Sequence, residues 1–322
     1  VATGGLLAAA ALLIGGNLPA VNAALAESLP ALSRLIASRC TMETNYFCIK
    51  VQDTEFDSQK VRALVLDHLI HSYVKIGDPS FLGYEHEQVQ AELAYWMADR
   101  HPEINVMVIG GGGYTYPRWV DAHIPTATVE VVEIDPGVTQ VVHDHLGLPR
   151  DTRIISYGLD GRQFVHEMAP RRHYHLVVQD AVNDLSVPYH ILTKEYNDQV
   201  RELLTPDGVF LLTVIDLNED GQLMRAAART MMQTFPHVQL LGARPIWNYG
   251  GSSVWIVAGS REQINLDEVR AAVERRGAGP MKTLAQPEDE LRAYVARGQQ
   301  IVLTDQYAPV DNLISVLFAR RN

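Results

Sequence analysis

The chain has 322 residues, 47% hydrophobic and 20% charged, which is ample for one large domain with a smaller appendage and far from a disordered composition. Its formal net charge of -11 opposes nucleic-acid phosphates, which sets duplex binding aside, and draws cationic small molecules such as polyamines. Two cysteines, Cys40 and Cys48, read as ordinary thiols, with no metal spacing and no disulfide framework.

No charged side chain precedes Glu27, and the apolar stretch Gly5 to Ile14 is interrupted by Gly15, Gly16, Asn17 and Pro19. That run is shorter than the roughly 20 apolar residues a bilayer span needs. Three readings fit it: the tail of a transmembrane helix from a longer parent, an interfacial or buried apolar helix, and a signal-peptide remnant. The chain begins with Val1, so the expectation is that something preceded it. Residues 1–35 are taken as a membrane-proximal segment, with the rest of the chain on the cytoplasmic side for want of a disulfide pattern.

Residues 40 to 76 read as strands, with Tyr46–Val51 and Val61–Leu66 rich in β-branched and aromatic residues and a turn expected over Asp53–Gln59. Glu85 to Ala98 follows with helical spacing, Val89, Leu93 and Trp96 on one face. Residues 36–100 therefore form a small β-module with a linking helix. Strand and helix then alternate through residues 101–322. Asn105–Ile109 is a continuous apolar run suited to a strand buried on both faces. Val129–Ile134, Arg153–Tyr157, His175–Gln179 and Gly208–Val214 are the next strands, separated by helices such as Val138–Leu146 and Lys194–Leu204. Pro206-Asp207-Gly208 is a turn signal, and Ser253–Ala258 a strand in a last αβ portion. The alternation predicts an α/β fold, a Rossmann-like parallel sheet of methyltransferase type with helices on both faces, preceded by the β-module.

The glycines Gly110, Gly111, Gly112 and Gly113 stand where a buried strand ends and a helix begins, a place where the backbone turns sharply and approaches a ligand closely. About twenty residues on, the next strand ends in Glu133-Ile134-Asp135, where an acid can hold both hydroxyls of a ribose. The third strand leads to Gly158-Leu159-Asp160-Gly161; Asp160 there accepts from an adenine amino group or caps the helix beginning near Arg162. The fourth strand ends in Asp180-Ala181-Val182-Asn183-Asp184, and two carboxylates at the mouth of a site suit a reaction in which an amine loses a proton.

The order GGGG, EID, DG, D-x-x-x-D and PDG resembles the spermidine synthase family, in particular its membrane-fused bacterial branch, over roughly residues 43 to 315. Leu64-Val65-Leu66-Asp67, Tyr84-Glu85-His86-Glu87 and Leu303 to Asn312, with Tyr307 in the last, add to the likeness. The resemblance implies aminopropyl transfer from decarboxylated S-adenosylmethionine to an amine such as putrescine, releasing methylthioadenosine, in a homo-oligomer and without a metal. It implies Glu133 on the ribose, Asp160 on the adenine with Gly161 beside it, and Asp180 as the base. Asp184 or Asn183 would bind the amine, with Glu87, His86 and Tyr307 at the amine end. Two departures stand out. Gly113 falls where the family has an aspartate that holds the aminopropyl amino group, and His71 replaces the family's usual glutamine. A donor shift toward intact S-adenosylmethionine is therefore expected, with Arg118 either reaching its carboxylate or lying as an ordinary helix residue. Methyl transfer, and a non-catalytic nucleoside-binding domain of a membrane protein, are the alternatives.

Among twelve histidines, the spacing of His143 with His145 and His173 with His175 does not place them on one helix face, so solvated side chains are expected. Arg171-Arg172-His173 reads as a solvated basic turn, and Ser252 and Ser253 lack the strained elbow of a hydrolase nucleophile.

Overall fold

A computed structural model of the chain describes residues 40–168, 172–182, 187–245, 247 and 250–320. The apolar segment 1–35, Asn183, Asp184 and Arg171 lie outside the described residues.

Strands β1 (Met42–Glu43), β2 (Cys48–Phe56), β3 (Gln59–Leu66) and β4 (Leu69–Val74) form an antiparallel sheet in sequence order. The expected seven-residue turn is a two-residue one. Pairing runs out to Phe56 opposite Gln59, and Asp57 and Ser58 both take positive φ (47° and 60°), as a tight hairpin whose twist matches its strands requires. Helix α1 (Glu85–Arg100) follows.

The second sheet holds β5 (Ile104–Ile109), β6 (Ala127–Val132), β7 (Ile155–Tyr157), β8 (Tyr174–Gln179), β9 (Leu204–Leu217), β10 (His237–Gly242), β11 (Ser252–Ser260) and β12 (Leu284–Ala285). Its order is β12-β10-β11-β9-β8-β5-β6-β7. The run from β9 to β7 is parallel, as expected, whereas β11, β10 and β12 pair antiparallel and complete a mixed sheet. Helices α2 (Thr115–His123), α3 (Pro136–His145), α4 (Gly161–Met168), α5 (Lys194–Leu203), α6 (Leu223–Met231), α7 (Leu266–Arg275), α8 (Glu288–Ala296) and α9 (Val310–Arg320) complete the unit from Met42 onward.

Alternate side chains of the central strands enter two apolar clusters, one on each sheet face. Val106, Val108, Leu176, Val178, Val209 and Leu211 belong to one; Met107, Ile109, Val177, Phe210 and Leu212 belong to the other. The turn expected at Pro206–Gly208 lies inside β9, where the register against β8 slips between Tyr174 and Leu176. Arg172 is not simply solvated: it pairs with the buried carboxylate Glu130, which also accepts from Tyr157 Oη at 2.9 Å and Tyr174 Oη at 2.5 Å. A buried charge needs such partners, and the strand spacing that puts Glu130 inside the sheet does not reveal them.

Both cysteines are disulfide-bonded, against the thiol reading. A single pair presents no spacing framework to recognise in a sequence, so the lack of such a pattern does not assign the chain to the cytoplasmic side. Among the described residues no helix is long and apolar enough to cross a membrane, and no cluster of acids, histidines and cysteines could hold a metal ion.

Candidate functional site

The carboxyl ends of β5, β6 and β8 and the start of α1 meet the inner face of the small sheet around a cavity of about 520 Å³. An open α/β sheet places its ligand crevice at strand ends, because the backbone there leaves the ladder and its polar groups become available. Gly110 turns the chain out of β5 at φ 93°, and a Cβ on it would strike the backbone carbonyl of Asp180. Only glycine allows β5 and β8 to close up this tightly.

Glu133 is 6% exposed just beyond β6. Its Oε2 accepts from the Gly111 amide at 2.7 Å and its Oε1 from the Asp135 amide at 3.0 Å. Burial pushes its carboxyl above the usual range, against these two bonds that favour the anion. Each oxygen keeps a further lone pair for another hydrogen-bond donor. Asp160 takes the helix-capping role that the sequence offered. Its Oδ1 caps α4 by accepting from the Arg162 and Gln163 amides at 2.9 and 3.0 Å, while Oδ2 meets His190 Nε2 at 2.8 Å. Burial raises its carboxyl, yet the Gln163 amide and the His190 side chain outweigh that and hold it below the ordinary value.

Asp180 follows β8, its amide donating to the Ile109 carbonyl at 2.8 Å. Its Oδ2 lies 3.0 Å from His86 Nε2, and the His86 ring stacks on Tyr84 with centroids 5.4 Å apart. Burial alone would lower the His86 pKa; the Asp180 charge and hydrogen bond reverse that and raise it. Glu87, one residue on, is buried, accepts from the Tyr84 amide at 3.2 Å and takes a short hydrogen bond from Thr115 Oγ1. Burial is the main cause of its raised carboxyl pKa.

The cavity thus brings together Gly110, Gly111, Gly112, Glu133, Asp160, Gly161, Asp180, His86, Glu87 and His71. Two expected residues stand elsewhere. Gly113 donates its amide to Ser72 Oγ at 2.8 Å and presents its α-carbon to Ser72 and Val74 of β4, so a side chain there points into the small sheet. Tyr307 is 60% exposed on the tight Thr304–Tyr307 turn and does not line the cavity. Arg118 reaches no ligand position either, because its guanidinium donates to the carbonyls of Gly113, Tyr114 and Leu146 at 2.7, 3.1 and 2.9 Å.

Sequence reasoning missed His190, Thr115, Tyr116, Gln90 and Thr213, which also line the cavity. His190 meets Asp160 across 30 residues of chain and Gln90 meets Thr213 across 123, separations at which no spacing signal exists. Thr115 and Tyr116 directly follow the glycine turn, and that adjacency was the one available signal.

The chain matches the spermine/spermidine synthase domain over residues 89–268. It is 26% identical over 140 residues to a probable polyamine aminopropyl transferase of Bifidobacterium longum, covering 43% of this chain and 30% of that one. It is 28% identical over 153 residues to the Bos taurus eEF1A lysine and N-terminal methyltransferase, covering 43% of this chain and 22% of that one. These matches thus span less than a third of either relative. Among solved structures, a probable spermidine synthase from Corynebacterium glutamicum shares the fold with a TM-score of 0.69 at 19% identity, over 83% of this chain and 96% of that one.

Proposed function

The chain belongs to the spermine/spermidine synthase family, and from that premise we propose that it transfers an aminopropyl group from decarboxylated S-adenosylmethionine to an amine. Glu133 would take the ribose hydroxyls and Asp160 the adenine amino group. The Gly110–Gly112 turn leaves room for the nucleoside against the backbone.

The observation that carries the reading is the position of Asp180. It follows β8, which in the sheet order separates the nucleoside strands β5, β6 and β7 from β9 and β11. A donor lying over β5 and β6 would present its sulfonium arm toward this carboxylate. The amine nitrogen gives its proton to Asp180 and attacks the carbon beside the positive sulfur. The new C–N bond forms as the C–S bond breaks, and the electron pair of that bond neutralises the sulfonium to give methylthioadenosine. The leaving group is already activated, so the protein's contribution is orientation and a proton acceptor. His86 holds the carboxylate in place.

The likeness to the eEF1A lysine and N-terminal methyltransferase favours a second reading, transfer of a methyl group from intact S-adenosylmethionine. Calorimetry with methylthioadenosine, decarboxylated S-adenosylmethionine and S-adenosylmethionine separates the two. The aminopropyl reading expects the decarboxylated donor to bind more tightly than the intact one. Asp180→Asn is expected to keep methylthioadenosine affinity and lose turnover by about 10²–10⁴-fold. Wild-type turnover in that variant would remove Asp180 from the role of base.

A further inference from the structure

We propose that Glu87 holds the ammonium end of the donor's aminopropyl arm, in place of the aspartate for which this chain has Gly113; the inference rests on the aminopropyl-transfer reading and specifies how that site selects its donor. The family resemblance puts Glu87 at the acceptor end, but the fold ties it to the donor side. Helix α2 begins at Thr115, two residues after Gly113, on the turn that leads out of β5. The Thr115 hydroxyl makes a short hydrogen bond to Glu87 Oε1. Glu87 Oε2 accepts from the Tyr84 amide at 3.2 Å and closes the capping box of α1. Glu87, Thr115, Gly111 and Gly112 all line the cavity. Successive residues of a helix diverge by about 100°. His86 therefore reaches Asp180 after β8, while Glu87 reaches the turn after β5. Those two strands are neighbours in the sheet. The first turn of α1 thus brings a carboxylate to the glycine turn, next to the side chain that holds the base.

Glu87 is 6% exposed, and both of its hydrogen-bond donors are neutral. Arg118 lies near enough to feel its charge, but that guanidinium donates to three backbone carbonyls. Burial pushes the Glu87 carboxyl above the usual range, so its anion gains from a cation that a ligand brings. Decarboxylated S-adenosylmethionine brings one, an ammonium three carbons from the sulfonium. A buried ammonium in turn needs a carboxylate. Intact S-adenosylmethionine carries a carboxylate on the same carbon as its amino group, so Glu87 attracts one charge and repels the other. The acid thereby favours the decarboxylated donor. The carbon under attack is the one beside sulfur, so an ammonium held at Glu87 takes no part in the bond changes and leaves Asp180 to the acceptor amine.

The test is calorimetry on the full chain, without acceptor, using methylthioadenosine, decarboxylated S-adenosylmethionine and S-adenosylmethionine. Glu87→Gln keeps the side chain's size and a capping-box acceptor and removes only the charge. It is expected to weaken the decarboxylated donor at least about tenfold and to leave methylthioadenosine, which has no arm charge, unchanged. The intact donor should lose less, so the preference between the two donors shrinks. A folded Glu87→Gln protein that binds the decarboxylated donor as the parent does overturns the inference and returns Glu87 to the acceptor. Equal losses for the decarboxylated donor and methylthioadenosine mark a structural role and overturn it too. If Glu87→Gln fails to fold, Thr115→Val decides. Without the hydroxyl that positions Glu87, the decarboxylated donor should weaken at least about threefold with methylthioadenosine unchanged, and an unaltered donor affinity there overturns the inference. Failure of methylthioadenosine to bind the unmodified protein overturns the parent reading and this one with it.

Discussion

Restoring the family's acid by Gly113→Asp is expected to damage the fold rather than re-tune the donor. A Cβ on Gly113 would lie 2.6 Å from Ser72 Cβ, 2.9 Å from Val74 Cγ2 and 3.0 Å from Ser72 Oγ. Ser72 and Val74 are 4% and 1% exposed on β4, so neither can swing away into solvent. Forcing a carbon into such a contact costs about 1–3 kcal/mol. Moving Ser72 aside also breaks the 2.8 Å bond from the Gly113 amide, about 1 kcal/mol more. The total is roughly 2–4 kcal/mol before the carboxylate finds any partner. Most of this arises at Cβ, so Gly113→Ala should show nearly the same loss in urea unfolding. Ser72→Gly removes the opposing Cβ, and the Ser72→Gly/Gly113→Ala double variant is expected to recover on the order of 1 kcal/mol as coupling between contacting residues. A Gly113→Asp protein with the unfolding midpoint of the parent and a gain in affinity for decarboxylated S-adenosylmethionine would refute this reasoning, since the side chain would then face the cavity.

Two further outcomes follow from the same geometry. Glu133→Gln replaces one oxygen with an amide nitrogen opposite a backbone N–H, either that of Gly111 or that of Asp135. Methylthioadenosine binding should weaken by about 1–3 kcal/mol, and an unchanged Kd would exclude Glu133 from the ribose. For His86, burial alone would lower the pKa, but Asp180 raises it above 6.5. The stability this pair contributes is therefore full below 6.5 and is lost as pH rises through the raised value. While His86 is protonated it holds Asp180 as an ion pair and weakens it as a proton acceptor. The kcat/KM for amine transfer should therefore climb with pH through that raised pKa, and His86→Gln should erase the ascending limb. Persistence of the limb in His86→Gln would assign it to another group.

The parts of the site legible in the sequence are those written locally. An apolar run such as Val106–Ile109 followed by glycines announces a buried strand and a turn. Successive strand ends at Glu133, Asp160 and Asp180 then converge, because parallel strands all present their carboxyl ends to one side of a sheet. The resemblance to the spermidine synthases, carried by those same residues, agreed with the matched domain.

What depended on tertiary structure is which side chains meet. His190 at Asp160, His86 at Asp180 and Thr115 at Glu87 are partners joined by the fold and not by spacing. The direction taken by Gly113 and the exposure of Tyr307 were likewise invisible, since a motif match aligns residues without saying what lies against them. Even the sheet divides this way. Ser253–Ala258 reads as a strand in the sequence, and Val254–Ala258 is a continuous apolar run. Its antiparallel place beside β9 was settled by packing, because a strand's pattern specifies which faces are buried but not the direction or identity of the neighbour that buries them.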